Sequence, residues 1–171
     1  MVRLIVSLLF MVASLGATTI TSVTFEGGPS DPTILVTGTG FLPLPATDGK
    51  AYPSGTYSGY DYGRELYLYD ISAVWDAGCG TSVATGCHDF IGFDHLLYTD
   101  TTISMTYGSE YTPYFNANIF KLSAGDQYLL HVHDATYGGT VSFVPEPASW
   151  TMLAGALGLA LIAAKLRAAS V

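Results

Sequence analysis

Positive charge is what this 171-residue chain has least of: six lysines and arginines stand against fourteen aspartates and glutamates, a net charge of −8. Between residues 17 and 144 only Lys50, Arg64 and Lys121 oppose thirteen acidic residues. A surface of that sign is repelled by phosphate backbones and anionic headgroups, which excludes nucleic acid as a partner. Two cysteines are too few for a disulfide-built scaffold or a four-cysteine zinc site. No Gly-x-Ser-x-Gly elbow, P-loop or dinucleotide fingerprint occurs, and no Asp-x-Asp-x-Asp ladder or calcium-binding nonapeptide repeat, so the sequence points to a noncatalytic protein without a cofactor. The middle of the chain also lacks any segment that holds a helical period for three turns.

Long apolar runs are confined to the two ends. Residues Met1 to Gly16 combine one positive charge at Arg3, about a dozen apolar positions and a small-x-small finish at Ser14-Leu15-Gly16, which reads as a cleaved secretory signal helix. A buried helix of that length would be amphipathic, and this one is apolar on every side. At the other end Trp150 to Ala164 carries no charge and is followed by Lys165 and Arg167. That length is about the minimum for a transmembrane helix, and Gly155 and Gly158 suit close packing in lipid. Basic residues resist translocation, so residues 165–171 are expected inside and the rest of the chain outside.

The same tail carries a resemblance. Val144-Pro145-Glu146-Pro147-Ala148-Ser149, then an apolar span, then basic residues, resembles the PEP-CTERM sorting signal of bacterial exosortase substrates. The departure is a thin basic cluster, Lys165-Leu166-Arg167, where consecutive arginines are usual. The resemblance implies an exosortase as partner, with Pro145, Glu146 and Pro147 read on the outer side of the inner membrane. It implies transient anchoring there through residues 150–164, oriented by Lys165 and Arg167, and removal of the tail on the way to the cell surface or matrix. An association with exopolysaccharide or biofilm is implied as well.

The expected organisation is a signal peptide (1–16), an exported domain (17–144), a sorting motif (145–149), a membrane helix (150–164) and a basic tail (165–171). Within the domain, Val, Ile, Thr, Tyr and Phe alternate with Gly, Pro and Asp clusters, an all-β pattern. Strands are predicted at Thr19 to Phe25, Thr33 to Thr37, Glu65 to Val74, Phe90 to Tyr98, Thr102 to Tyr107, Gln127 to Asp134 and Thr140 to Val144. Turns are predicted at residues 27–32, at Ala124-Gly125-Asp126 and at Tyr137-Gly138-Gly139. About seven short strands suggest an immunoglobulin-like β-sandwich.

The opening stretch, Ile20 to Glu26 and then Thr33-Ile34-Leu35-Val36-Thr37-Gly38-Thr39-Gly40-Phe41, is similar to the start of an IPT/TIG domain. That resemblance implies a structural or adhesive role, with Gly38 and Gly40 bending the backbone and Phe41 plugging the core. The insertion from Leu42 to Arg64, with three prolines and four tyrosines, reads as a long surface loop.

Candidate chemistry is sparse. Cys79 and Cys87 enclose seven residues, and in an oxidising compartment they are expected to form a disulfide worth about 2 to 3 kcal/mol. Strand alternation over Gln127 to Asp134 would point His131 and His133 to one face, a half-site for a transition metal. His88, Asp89, Asp94 or His95 could complete it if the strands are neighbours, which would open a metal-dependent hydrolase. Arg64, between Asp61 and Glu65, suggests an internal ion pair. The twelve tyrosines and Trp75 offer a surface for stacking sugars, so a secreted glycan- or calcium-binding module is the alternative function. Nonreducing peptide mapping of the exported protein should link Cys79 to Cys87; free alkylation of both thiols in native protein would exclude the staple.

Overall fold

The structure is a computed structural model and describes residues 17–52, 56–79 and 91–145. Both expected terminal helices lie outside them; among the described residues no helix is long and apolar enough to cross a membrane. The body is all-β. Its strands are β1 (Thr19–Glu26), β2 (Thr33–Thr39), β3 (Gly49–Lys50), β4 (Tyr60–Asp61), β5 (Leu66–Asp70), β6 (Trp75–Ala77), β7 (Phe93–Tyr98), β8 (Thr102–Tyr107), β9 (Gln127–Val132), β10 (Ala135–Thr140) and β11 (Phe143–Val144). One short helix, α1 (Tyr111–Asn116), follows β8.

The strands form two sheets, one ordered β11-β1-β2-β8-β7-β4-β3 and the other β10-β9-β5-β6. Pairing is antiparallel throughout except between β1 and β11. Alternation decides which side chains are inside. Ile34, Val36, Ile103, Met105 and Phe93 from the larger sheet are fully buried, as are Leu66, Leu68, Leu130 and Val132 from the smaller. Phe25 of β1 meets Tyr128 of β9 edge to face at 5.0 Å, joining the two sheets at one end of the core.

A second aromatic cluster forms around α1. Tyr107 of β8 stacks on Tyr111 of α1 at 4.4 Å, and Trp75 of β6 lies 6.0 Å from Tyr107 and 6.3 Å from Tyr111. The Tyr111 hydroxyl donates to the Pro29 carbonyl at 2.7 Å and accepts the Leu122 amide at 3.2 Å. One side chain thus ties the β1–β2 turn, the post-helix loop and both sheets together.

The chain bends after β2 at Gly40, whose φ is 74°, and Phe41 enters the core with no exposed surface. Gly38 makes room for it: a Cβ there would stand 1.9 Å from the Thr19 carbonyl oxygen and 2.6 Å from the Phe41 ring. The insertion is irregular as expected, apart from the two-residue strands β3 and β4 that lay it along the edge of β7.

Three expectations are corrected. Glu65 to Val74 is not one strand: β5 ends at Asp70, whose carboxylate accepts the Ala73 amide and whose carbonyl accepts the Val74 amide, closing a turn into β6. Tyr137-Gly138-Gly139 is not a turn but the middle of β10; the chain reverses at His133 and Asp134. The last strand among the described residues is only Phe143–Val144, and α1 has no counterpart in the sequence pattern because six residues with Pro113 inside show no readable period. The start of β7 falls at Phe93, and Phe90 lies outside the described residues.

Tyr111→Phe keeps the ring stack but leaves the Pro29 carbonyl and Leu122 amide without their partner, and is expected to cost about 1 to 3 kcal/mol in chemical denaturation. A variant as stable as wild type would show that these two bonds carry no weight.

Candidate functional site

Among the described residues, those singled out by the sequence do not converge. Cys79 is buried and disulfide-bonded, and Cys87 lies outside the described residues. Pro145 is exposed one residue beyond β11; Glu146, Pro147, Lys165 and Arg167 lie outside. Arg64 is exposed in the turn leading to β5.

Of the histidine pair, only His131 is in β9. Its Nδ1 lies 3.0 Å from the Thr136 hydroxyl and its ring stacks on Tyr67 at 5.0 Å on the outer face of the smaller sheet. His133 has left the strand for the turn, with φ of 53°. Its Nε2 donates to the Phe41 carbonyl at 2.8 Å, and its Nδ1 lies 3.2 Å from a Glu65 carboxylate oxygen. Both of its ring nitrogens are engaged. Asp94 and His95 stand on β7 of the other sheet, so the strands are not neighbours, and His88 and Asp89 lie outside the described residues. Among the described residues no group of three or more His, Cys, Asp or Glu side chains is placed to hold a metal.

What the structure does assemble is a set of buried carboxyl groups where the insertion docks on the body. Glu110, just ahead of α1, has no exposed surface, and Asp61 of β4 is 5% exposed. One Glu110 oxygen accepts the Gly92 amide at 2.7 Å. Gly59 and Gly108 press against the same carboxyl: a Cβ on either would come within 2.6 Å of it. Ser58 and Ser109 exchange amide-to-hydroxyl bonds of 2.9 and 3.0 Å beside it, pinning the insertion to the β8–α1 connection.

The second Glu110 oxygen and Asp61 Oδ1 are buried without a hydrogen-bond partner among the described residues. Burial, then the neighbouring Glu110, Asp48 and Asp76, push the Asp61 carboxyl up to about 7. Burial also raises Glu110, against the opposing pull of the Gly92 amide. Asp70, opposite Trp75 in the smaller sheet and with no exposed surface, is raised to about 6 by burial and by the adjacent Asp126, with the Ala73 amide opposing. All three carboxyls hold their protons to higher pH than an exposed carboxyl does. Nothing in the local sequence around Asp61 or Glu110 marks either as buried, because their burial comes from docking of the insertion on the body.

Beside the docked insertion lies an open hollow of about 490 Å³, bordered by Ser30, Asp31, Ser58, Tyr107, Ser109 and Thr112. It offers hydroxyls and one carboxylate. No protein-family model matches the chain, and comparison with curated proteins and with solved structures finds no match.

The raised acids set the sign of the pH dependence. Asp61 titrates near 3.8 when unfolded and about 7 when folded, so between those values the native state holds the extra proton. Stability therefore falls as pH rises from about 4 to about 7 and levels off above. Asp70 and Glu110 act in the same direction. The melting temperature should be higher at pH 5 than at pH 8, and Asp61→Asn should raise it at pH 8 and flatten the slope. A wild-type melting temperature that climbs across this interval would contradict the assignment.

Proposed function

We propose that this chain is a noncatalytic exported protein of the cell surface or extracellular matrix, sorted by an exosortase and structural or adhesive in role. The tail carries the reading: a Pro-Glu-Pro motif, an uncharged span of membrane length and a basic end, in that order, behind an N-terminal secretory signal. The way the domain ends supports it. Val144 is the last paired residue, its carbonyl accepting the Gly27 amide at 3.0 Å. Pro145 has no N–H with which to continue the ladder, so the motif begins where the sheet stops.

The body is read as immunoglobulin-like. The order β1-β2-β8-β7 facing β10-β9-β5-β6 corresponds to strands A-B-E-D facing G-F-C-C′ of that architecture. Such a body presents surfaces and needs no catalytic centre. The alternative, a module binding neutral glycans, is favoured by one feature, the hydroxyl-bordered hollow beside Ser58 and Ser109.

Replacing Pro145, Glu146 and Pro147 by alanine should leave export and folding intact, since the last strand ends at Val144. Full-length protein should then accumulate in the inner membrane, while wild type loses its tail and reaches the surface. Normal processing of the alanine variant in a host carrying the exosortase would refute the sorting role.

A further inference from the structure

The two sheets leave four edges, and three are too short to pair with anything. Strands β11 and β3 have two residues each, and β6 has three, all buried. The fourth, β10, runs six residues, Ala135–Thr140, with no proline and no charge. Its register with β9 is continuous over all six pairs, unlike β1 and β7, which carry irregularities at Ile20/Ser22 and His95/Leu97. Among the described residues it is hydrogen-bonded to a strand on one side only, with β1 of the larger sheet packed near it. Proteins normally protect such an edge with charge, proline or a bulge, and this one has none of these.

Glycine in the middle of a strand weakens it unless something needs the space. Gly139 has an internal reason: a Cβ there would lie 2.9 Å from the Tyr128 hydroxyl. Gly138 has none of comparable force. It is exposed, its φ is not in the left-handed region, and a Cβ would meet the movable tip of Leu129 at 3.1 Å and the Tyr128 carbonyl oxygen at an ordinary 3.7 Å. A bare, exposed backbone on an open edge is what close approach of another strand requires.

We propose that β10 pairs antiparallel with β10 of a second copy of this chain, across a two-fold axis at Gly138. The register follows from the hairpin. Val132 and Ala135 flank a two-residue turn, and the closing pair of such a turn is a hydrogen-bonded one. By alternation, the amides and carbonyls of Thr136, Gly138 and Thr140 face away from β9. Pairing Gly138 with Gly138 sets Thr136 opposite the second copy's Thr140 and Tyr137 opposite its Gly139. Outer faces then continue as outer faces, threonines meet threonines, and each tyrosine faces a position without a competing side chain. The uncharged edge avoids the repulsion that a net charge of −8 imposes on most other surfaces. This pairing is independent of the sorting reading.

The test is cross-linking of the full chain in cells producing it. Gly138→Cys should give a covalent dimer with a short thiol-reactive linker, exceeding by about tenfold a Lys50→Cys control on the β3 edge. If Gly138→Cys accumulates poorly, the Thr136→Cys/Thr140→Cys double variant makes the same measurement at exposed positions. Adding Thr136→Lys and Thr140→Lys to the Gly138→Cys chain sets like charges opposite one another and should abolish the dimer; Thr136→Lys with Thr140→Glu sets opposite charges together and should retain it. Absence of a dimer from both cysteine variants, equal yield from Lys50→Cys, a product of another mass, or a dimer indifferent to the lysines would overturn the proposal.

Discussion

The fold turns on the stack of Tyr107 and Tyr111 against Trp75. Tyr107 belongs to the larger sheet, Trp75 to the smaller, and Tyr111 reaches both from a six-residue helix. That helix is too short to hold itself, since the first turn costs more order than one hydrogen bond returns. It exists because its first residue is anchored, ring in the core and hydroxyl bonded to Pro29 and Leu122. Burial pushes that hydroxyl up to about 12.

The scarcity of positive charge has its consequence at the insertion. Docking of the insertion on the body buries Asp61 and Glu110 together, and loss of water followed by the repulsion of neighbouring carboxylates raises both above the ordinary carboxyl range. Space for the Glu110 carboxyl comes from Gly59 and Gly108, and Gly59 also supplies a φ of 106° that a side chain would disfavour. The hollow beside Ser58 and Ser109 is a by-product of that docking, and its hydroxyl border follows from the same two serines.

Where local pattern and tertiary demand agree, the sequence could be read nearly to the residue. Thr102 to Tyr107 alternates inward Ile103, Met105 and Tyr107 with polar partners, and β8 spans those same residues. Where they disagree, it could not. Val74, β-branched, sits at φ of 59° inside a turn, held by the Asp70 side chain and carbonyl, so Glu65 to Val74 looked like one strand. The hairpin before β10 turns at His133, also at positive φ, and its imidazole bonds outward to Phe41 and Glu65 across long sequence separations. Gly138 and Gly139, the natural turn signal, stand in a strand.

The sequence by itself determined the class of the domain, its two-fold alternation of inward and outward side chains, its acidity, and the three-part tail that begins at Pro145, because each is a matter of composition or short-range order. Only the tertiary structure decided that His131 and His133 diverge, that Asp61, Asp70 and Glu110 are buried acids, and that β10 is the long open edge. Those outcomes depend on which strands become neighbours, and that is settled by burial of the two sheet faces against each other, an interaction between residues far apart in the chain.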